Sequence, residues 1–219
     1  MTTTVSATSR TANRVTGSAV TPAPAVVNAA NAHQPSSLID PSELPAYRAL
    51  ARTLACELLA DPSVVLLDTE TTTLWGQVIE VGVLSADGQV LLDTLVRPGE
   101  PIPADATAVH GLRLEDLRDA PQLHEVAGEL RTVLHGRRVV AYNCHYDRAV
   151  LAAEEHRIAR PLNTAASWDC AMDLYAAWNG ELLADRTRFR NKRLPGAGHR
   201  ALDDCRSMLT LLRLMASCV

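Results

Sequence analysis

At 219 residues the chain has room for one domain with a generous core and an extension. Hydrophobic residues make up 47% and charged residues 21%, and no apolar run approaches the length of a membrane span, so a soluble globular protein is expected and a membrane partner is excluded. A formal charge of -4 argues against a protein that coats nucleic acid through a basic surface.

From Met1 to about Gln34 the chain is mainly Thr, Ser, Ala, Val, Asn and Pro with two arginines, no acid and no apolar period, which predicts a disordered N-terminal tail over 1–40. An N-terminal helix is expected over 41–62: Leu50, Leu54 and Leu58 recur every four residues beside Ala51 and Ala55, and Asp61-Pro62 ends the pattern. The remainder, 63–219, reads as one domain. Its first strand, Val64 to Asp68, is an unbroken apolar run, as in a central strand covered on both faces. Gln77 to Leu84 and Gln89 to Val96 follow as strands joined by a hairpin at Ser85-Ala86-Asp87-Gly88. Prolines at 98, 101 and 103 then predict an extended loop. A helix broken near Ala120-Pro121 is predicted from Leu114 to His135, with Leu123, Val126, Ala127, Leu130 and Leu134 as its apolar stripe. Val139 to Tyr142 reads as a short strand, Asp147 to His156 as a helix, Trp168 to Ala171 as another short strand, and Ala201 to Ala216 as a helix turning Leu202, Leu209, Leu212 and Met215 inward. Three antiparallel strands followed by strand-helix-strand-helix make an α/β fold with a mixed sheet flanked by helices.

Chemistry enters at Asp68-Thr69-Glu70. On a strand, Asp68 and Glu70 share a face while Thr69 points the other way. Two like charges so placed raise a pKa unless a cation neutralises them, and gathered oxygens suit a hard divalent ion such as Mg2+ or Mn2+. Alone, so short a pattern reads more readily as a strand ending in a polar turn. Asp147 lies just beyond a predicted strand, where the first turn of a helix favours an ionised carboxylate. His199 and Asp204 are five positions apart, about 140° on one helix, so they converge only if His199 sits in the loop before it. Pro195-Gly196-Ala197-Gly198 supplies that loop. From Arg186 to Arg200 six basic residues occur without an acid, which reads equally as a phosphate track with Phe189 or Trp75 for stacking, or as a solvated loop. Five scattered cysteines with no close pair fit a reduced, cytoplasmic compartment.

In order and spacing these pieces resemble the DEDDh (DnaQ-like) family of 3′-to-5′ exonucleases, which includes the proofreading epsilon subunit of bacterial DNA polymerase III. The first motif corresponds to Asp68 through Thr72, the second to Asn143 through Asp147, and the third to His199 with Asp204; Ala108-Val109-His110-Gly111-Leu112 is similar to a further family segment. The resemblance implies a ribonuclease H-like fold and a 3′-5′ exonuclease releasing 5′-mononucleotides from DNA, single-stranded by preference. It implies two divalent ions, Mg2+ or Mn2+, on Asp68, Glu70, Asp147 and Asp204, with His199 as general base, and a pocket for the terminal nucleotide from Thr71, Thr72, Leu74, His110, Asn143 and Tyr146. RNA trimming, cleavage of very short oligonucleotides and a non-catalytic binding module are the rival readings. A polymerase partner is compatible with the family, but no C-terminal tether is expected, because Val219 directly follows the last helix. Thr73 replaces the family's glycine, so strain is expected there, and Tyr146 replaces a phenylalanine.

Overall fold

The computed structural model describes residues 38–217, so the predicted tail lies outside the described residues except for its last three positions. A turn of 3-10 helix at Pro41–Glu43 leads into α1 (Leu44–Ala60). Then come β1 (Val64–Thr71), β2 (Val78–Ser85), β3 (Val90–Leu95), α2 (Ala104–His110), α3 (Leu123–Leu134), β4 (Arg138–Ala141), α4 (Cys144–Ile158), β5 (Ser167–Cys170), α5 (Ala171–Asn179) and α6 (Ala201–Ser217). The strands form one sheet in the order β3-β2-β1-β4-β5. β1, β2 and β3 run antiparallel, and β4 and β5 join parallel, which is the expected mixed sheet.

β1 is central because its residues are apolar on both faces. Val64 and Leu66 pack into a core shared with α1, α5 and α6, whereas Val65 and Leu67 pack with α3 and α4. All four are essentially inaccessible, each worth about 1.5–3 kcal/mol relative to exposure. The β2–β3 hairpin turns where expected, with Gly88 at φ 101° taking a conformation that a Cβ would oppose.

Three elements depart from expectation. The extended loop is found over 97–103 as expected, but a helix, α2, follows it where no element was expected: Pro103 provides an extended entry, Ala104, Ala106 and Ala108 favour helix, and Gly111 closes it at φ 77°. The segment 114–119 is a chain of turns rather than helix, closed by Asp116 N–H to the Arg113 carbonyl and Leu117 N–H to that of Leu114. α3 therefore begins only at Leu123, where Gln122 and Glu125 make a reciprocal capping box. α5 was unforeseen; its nine residues are too few to display a clear period, and it is stabilised by packing against α1.

Candidate active site

The acidic residues meet where β1 outruns its neighbour. β1 stays paired with β2 as far as Thr71, but its pairing with β4 ends at Leu66 opposite Val140. From Asp68 onward the β4-facing edge of β1 is open. The first turn of α4 fills that space, and Asn143, at φ 69°, turns the chain into it. Asp147 arrives there buried, and the Thr69 hydroxyl donates to its Oδ1 at 2.9 Å. Thus Thr69 faces α4, while Asp68 and Glu70 follow Leu66 to the side covered by α6.

α6 supplies the rest. Asp204 in its first turn points inward, whereas Asp203 faces solvent and pairs with Arg206. Asp204 Oδ1 accepts the Gly198 N–H at 2.8 Å, drawing the preceding loop over the helix start. His199 follows at φ 55°, in the left-handed region, so the loop and not the helix carries it, as predicted. Potential ligand atoms of Glu70, His199 and Asp204 all lie within 4.8 Å of one another. Asp68 and Asp147 are not in that tight group but share its field: Asp68, raised first by burial, is pushed further up by Asp147, Glu70 and Asp204, and Asp147 adds to the charge that raises Glu70.

Burial is the main force on all four acids. It raises Asp68 well above the ordinary carboxyl value and, reinforced by Asp204, Glu80 and Asp147, raises Glu70 to about 8. It outweighs the Thr69 hydrogen bond at Asp147, and the Gly198 N–H and His199 at Asp204. Such a cluster holds protons or a cation; a divalent ion would remove the repulsion that lifts these groups. The oxygen-rich donor set therefore fits a hard divalent metal.

Above the acids lies the β1–β2 loop. Thr72 N–H bonds the Gln77 carbonyl, the Thr72 hydroxyl and the Gln77 N–H both reach Glu100, and Gly99 N–H bonds the Gln77 side chain. The expected strain at Thr73 is absent, since it has no positive φ. Glycine is instead required at Gly76, where a Cβ would stand 2.0 Å from Thr72 Oγ1 and 2.7 Å from Thr73 N. The loop holds Leu74 and Trp75 out into solvent, 70% and 66% exposed. Trp75 leans on Tyr146, ring centroids 5.3 Å apart, and the Tyr146 hydroxyl meets Thr71 Oγ1 at 2.7 Å. His110 is buried, its Nδ1 accepts the Leu112 N–H at 3.1 Å, and its Nε2 has no partner.

Half of the six basic side chains from Arg186 to Arg200 are engaged in ion pairs, Arg200 with Glu80 and the other two with one acid. Arg190 and Lys192 both pair with Glu181, the Arg186 carbonyl accepts the Ile39 N–H, and Phe189 packs edge-on against Tyr47 of α1. Glu80 and Glu100 are the polar residues that sequence reasoning missed. Glu80 had a signal, an acid inside the strand run Val78-Ile79-Glu80-Val81, where both faces are buried. Glu100 had none, because its partners are 23 and 28 positions away.

The exonuclease family profile (RNase_T) matches residues 65–212, a span that contains every residue of this site. The chain belongs to the exonuclease family. An uncharacterized exonuclease of Escherichia phage 186 (CP81) is 32% identical over 171 residues, covering 69% of this chain and 87% of that protein. Exodeoxyribonuclease 10 of Escherichia coli K12 is 29% identical over 157 residues, 67% of this chain and 66% of that one. Among solved structures, Exonuclease X in complex with 5′ overhanging duplex DNA superposes with a TM-score of 0.49 at 26% identity, covering 69% of this chain and 89% of that chain. This exonuclease is accordingly a hydrolytic nuclease with a nucleic-acid substrate, of a family that generally uses divalent metals. No helix among the described residues is long and apolar enough to cross a membrane.

Proposed function

We propose that this exonuclease removes nucleotides from the 3′ end of DNA, preferring single strands, and releases 5′-mononucleotides. The observation that carries the reading is the convergence of Asp68, Glu70, Asp147 and Asp204, from three separated segments, with His199 beside Glu70 and Asp204. Asp68, Glu70, Asp147 and Asp204 would hold two divalent ions, Mg2+ or Mn2+. When bound, these supply charge neutralisation at the scissile phosphate and ease deprotonation of the attacking water. His199, exposed on its loop, takes the proton of that water. The loop position leaves its imidazole open to solvent, so the proton can be passed on after each turnover.

The terminal nucleotide would rest against the β1–β2 loop. Backbone at Thr71 and Thr72, the exposed Leu74, and the Tyr146 ring offer one wall, with Asn143 at the turn below. His110 is supported by its unpartnered atom. Because Nδ1 accepts a backbone N–H and burial lowers its pKa, the imidazole is neutral with its proton on Nε2, a buried donor without an acceptor until a nucleotide supplies one.

A second reading concerns His199 alone: its proximity to Glu70 and Asp204 also suits a metal ligand. Purified protein with Mg2+ or Mn2+ on end-labelled single-stranded DNA, duplex DNA and RNA tests the main reading. Single-nucleotide products from the 3′ end of DNA support it; faster trimming of RNA, or degradation from the 5′ end, overturns it. Mn2+ titration of His199→Ala separates the two roles, since a base leaves affinity intact when removed and a ligand does not.

A further inference from the structure

Glu80 stands directly opposite Glu70 in the β1–β2 ladder. Opposed residues of an antiparallel pair share a face, so a fifth carboxylate enters the acidic cluster, and it is 2% exposed. Its oxygens are engaged differently from the other four. Arg200 donates to both through Nε, at 3.0 and 3.1 Å, and again through Nη2 at 2.6 Å; the Ala201 N–H donates at 2.9 Å. Glu80 thus has its own cation and caps the first residue of α6, which leaves it poorly suited to bind a metal.

Arg200 is the single residue between His199 and α6. His199 is held at φ 55°, a backbone state costing a non-glycine residue about 1–2 kcal/mol, so its neighbours must retain it there. On one side the Gly198 N–H is fixed to Asp204; on the other the Arg200 fork is fixed to Glu80. Beneath them the helix start is pressed onto Gly82, where a Cβ would come within 2.6 Å of Leu202 N. The three anchors act on different atoms: Gly82 sets the height of α6, the Gly198 bond closes the loop, and only the Glu80–Arg200 pair ties the residue after His199 to the strand opposite Glu70.

We propose that Glu80 and Arg200 are positioning residues for the nuclease reaction, a latch that registers His199 and Asp204 against Glu70. This rests on the reading of the site as a nuclease centre. Neither residue touches substrate in this role. The latch explains why a buried acid is tolerated in the middle of β2 beside four others: its negative charge is met by the Arg200 guanidinium, whose positive charge also opposes the repulsion at Glu70.

The test uses the full chain carrying Glu80→Gln, Arg200→Lys, or Glu80→Gln with Arg200→Gln. For Glu80→Gln the expected result is a fall in kcat of about 10–100-fold on a 3′-labelled oligonucleotide, with KM and Mn2+ affinity little changed. Arg200→Lys, keeping charge but not the fork, falls less. The double variant is no worse than the poorer single one, because the two act as one unit. Amide hydrogen exchange at Ala201 accelerates in each. Unchanged kcat, Mn2+ affinity lost as in Asp204→Asn, or additive effects in the double variant overturn the proposal. Should Glu80→Gln fail to fold, Arg200→Lys decides it by the same kcat and exchange criteria. If the unaltered protein cleaves no nucleic acid, the nuclease reading fails, and unchanged exchange at Ala201 separately refutes the latch.

Discussion

Glu70 and Glu80 face each other across one ladder, both in the shelter of α6, yet only Glu80 has a cation of its own. Glu80 spreads its charge over Arg200 and the first N–H of a helix. Glu70 is crowded by Asp204, Glu80 and Asp147 and climbs to about 8. The lesson is that a buried carboxylate with a built-in partner supports architecture, whereas one left without is available for chemistry.

The sharpest way to break this comparison is to remove the unpaired acids. Asp68→Ala or Asp204→Ala is expected to reduce release of 3′ nucleotides to background while the circular-dichroism spectrum stays native; retained activity after repurification contradicts the assignment. His199→Ala should lower kcat by about 10²–10⁴-fold with Mn2+ binding kept, as read by turnover and titration together.

Stability separates the two glutamates in the opposite direction. Glu80→Gln removes the charge that Arg200 and the α6 start depend on, and a loss of about 1–3 kcal/mol is expected by denaturant titration. Glu70→Gln should instead stabilise the metal-free protein at alkaline pH. The sign follows from linkage: a carboxyl raised in the fold contributes stability that is complete below its unfolded value, about 4.3, and is lost as pH rises through about 8. Metal-free Tm should therefore fall between pH 5 and 9, and either Glu70→Gln or added Mn2+ should flatten the slope. A slope unaffected by both would contradict the crowding of Glu70.

The smallest effect sharpens the comparison from the backbone side. Gly82→Ala places a Cβ against the start of α6 and should cost about 1–3 kcal/mol, with kcat lowered as His199 and Asp204 shift together. A loss of stability with kcat unchanged would show that the height of α6 is uncoupled from the reaction.

Much was legible in the chain because the physics was local. The apolar run before Asp68 predicts a central strand, period two places Asp68 and Glu70 together, Asp87-Gly88 marks a hairpin, and Gly-rich residues before His199 keep it off the helix. These depend on neighbours within a few positions. What was not legible locally was α2 and α5, whose seven and nine residues are too few to show a period. The basic stretch was legible only in part for a related reason: charge counted along the chain ignores Glu181, which folds back onto Arg190 and Lys192.

By itself, then, the sequence determined the sheet pattern, the identity of the acids and the histidine, and the family in which they occur. Only the tertiary structure decided their states. That Asp147 slips into the space β4 leaves beside β1, that Glu100 braces the β1–β2 loop, and that Glu80 is paired while Glu70 is not are all contacts between residues far apart in the chain. Burial and opposing charge set a carboxylate's behaviour, and both are properties of what surrounds it in space rather than of what adjoins it along the chain.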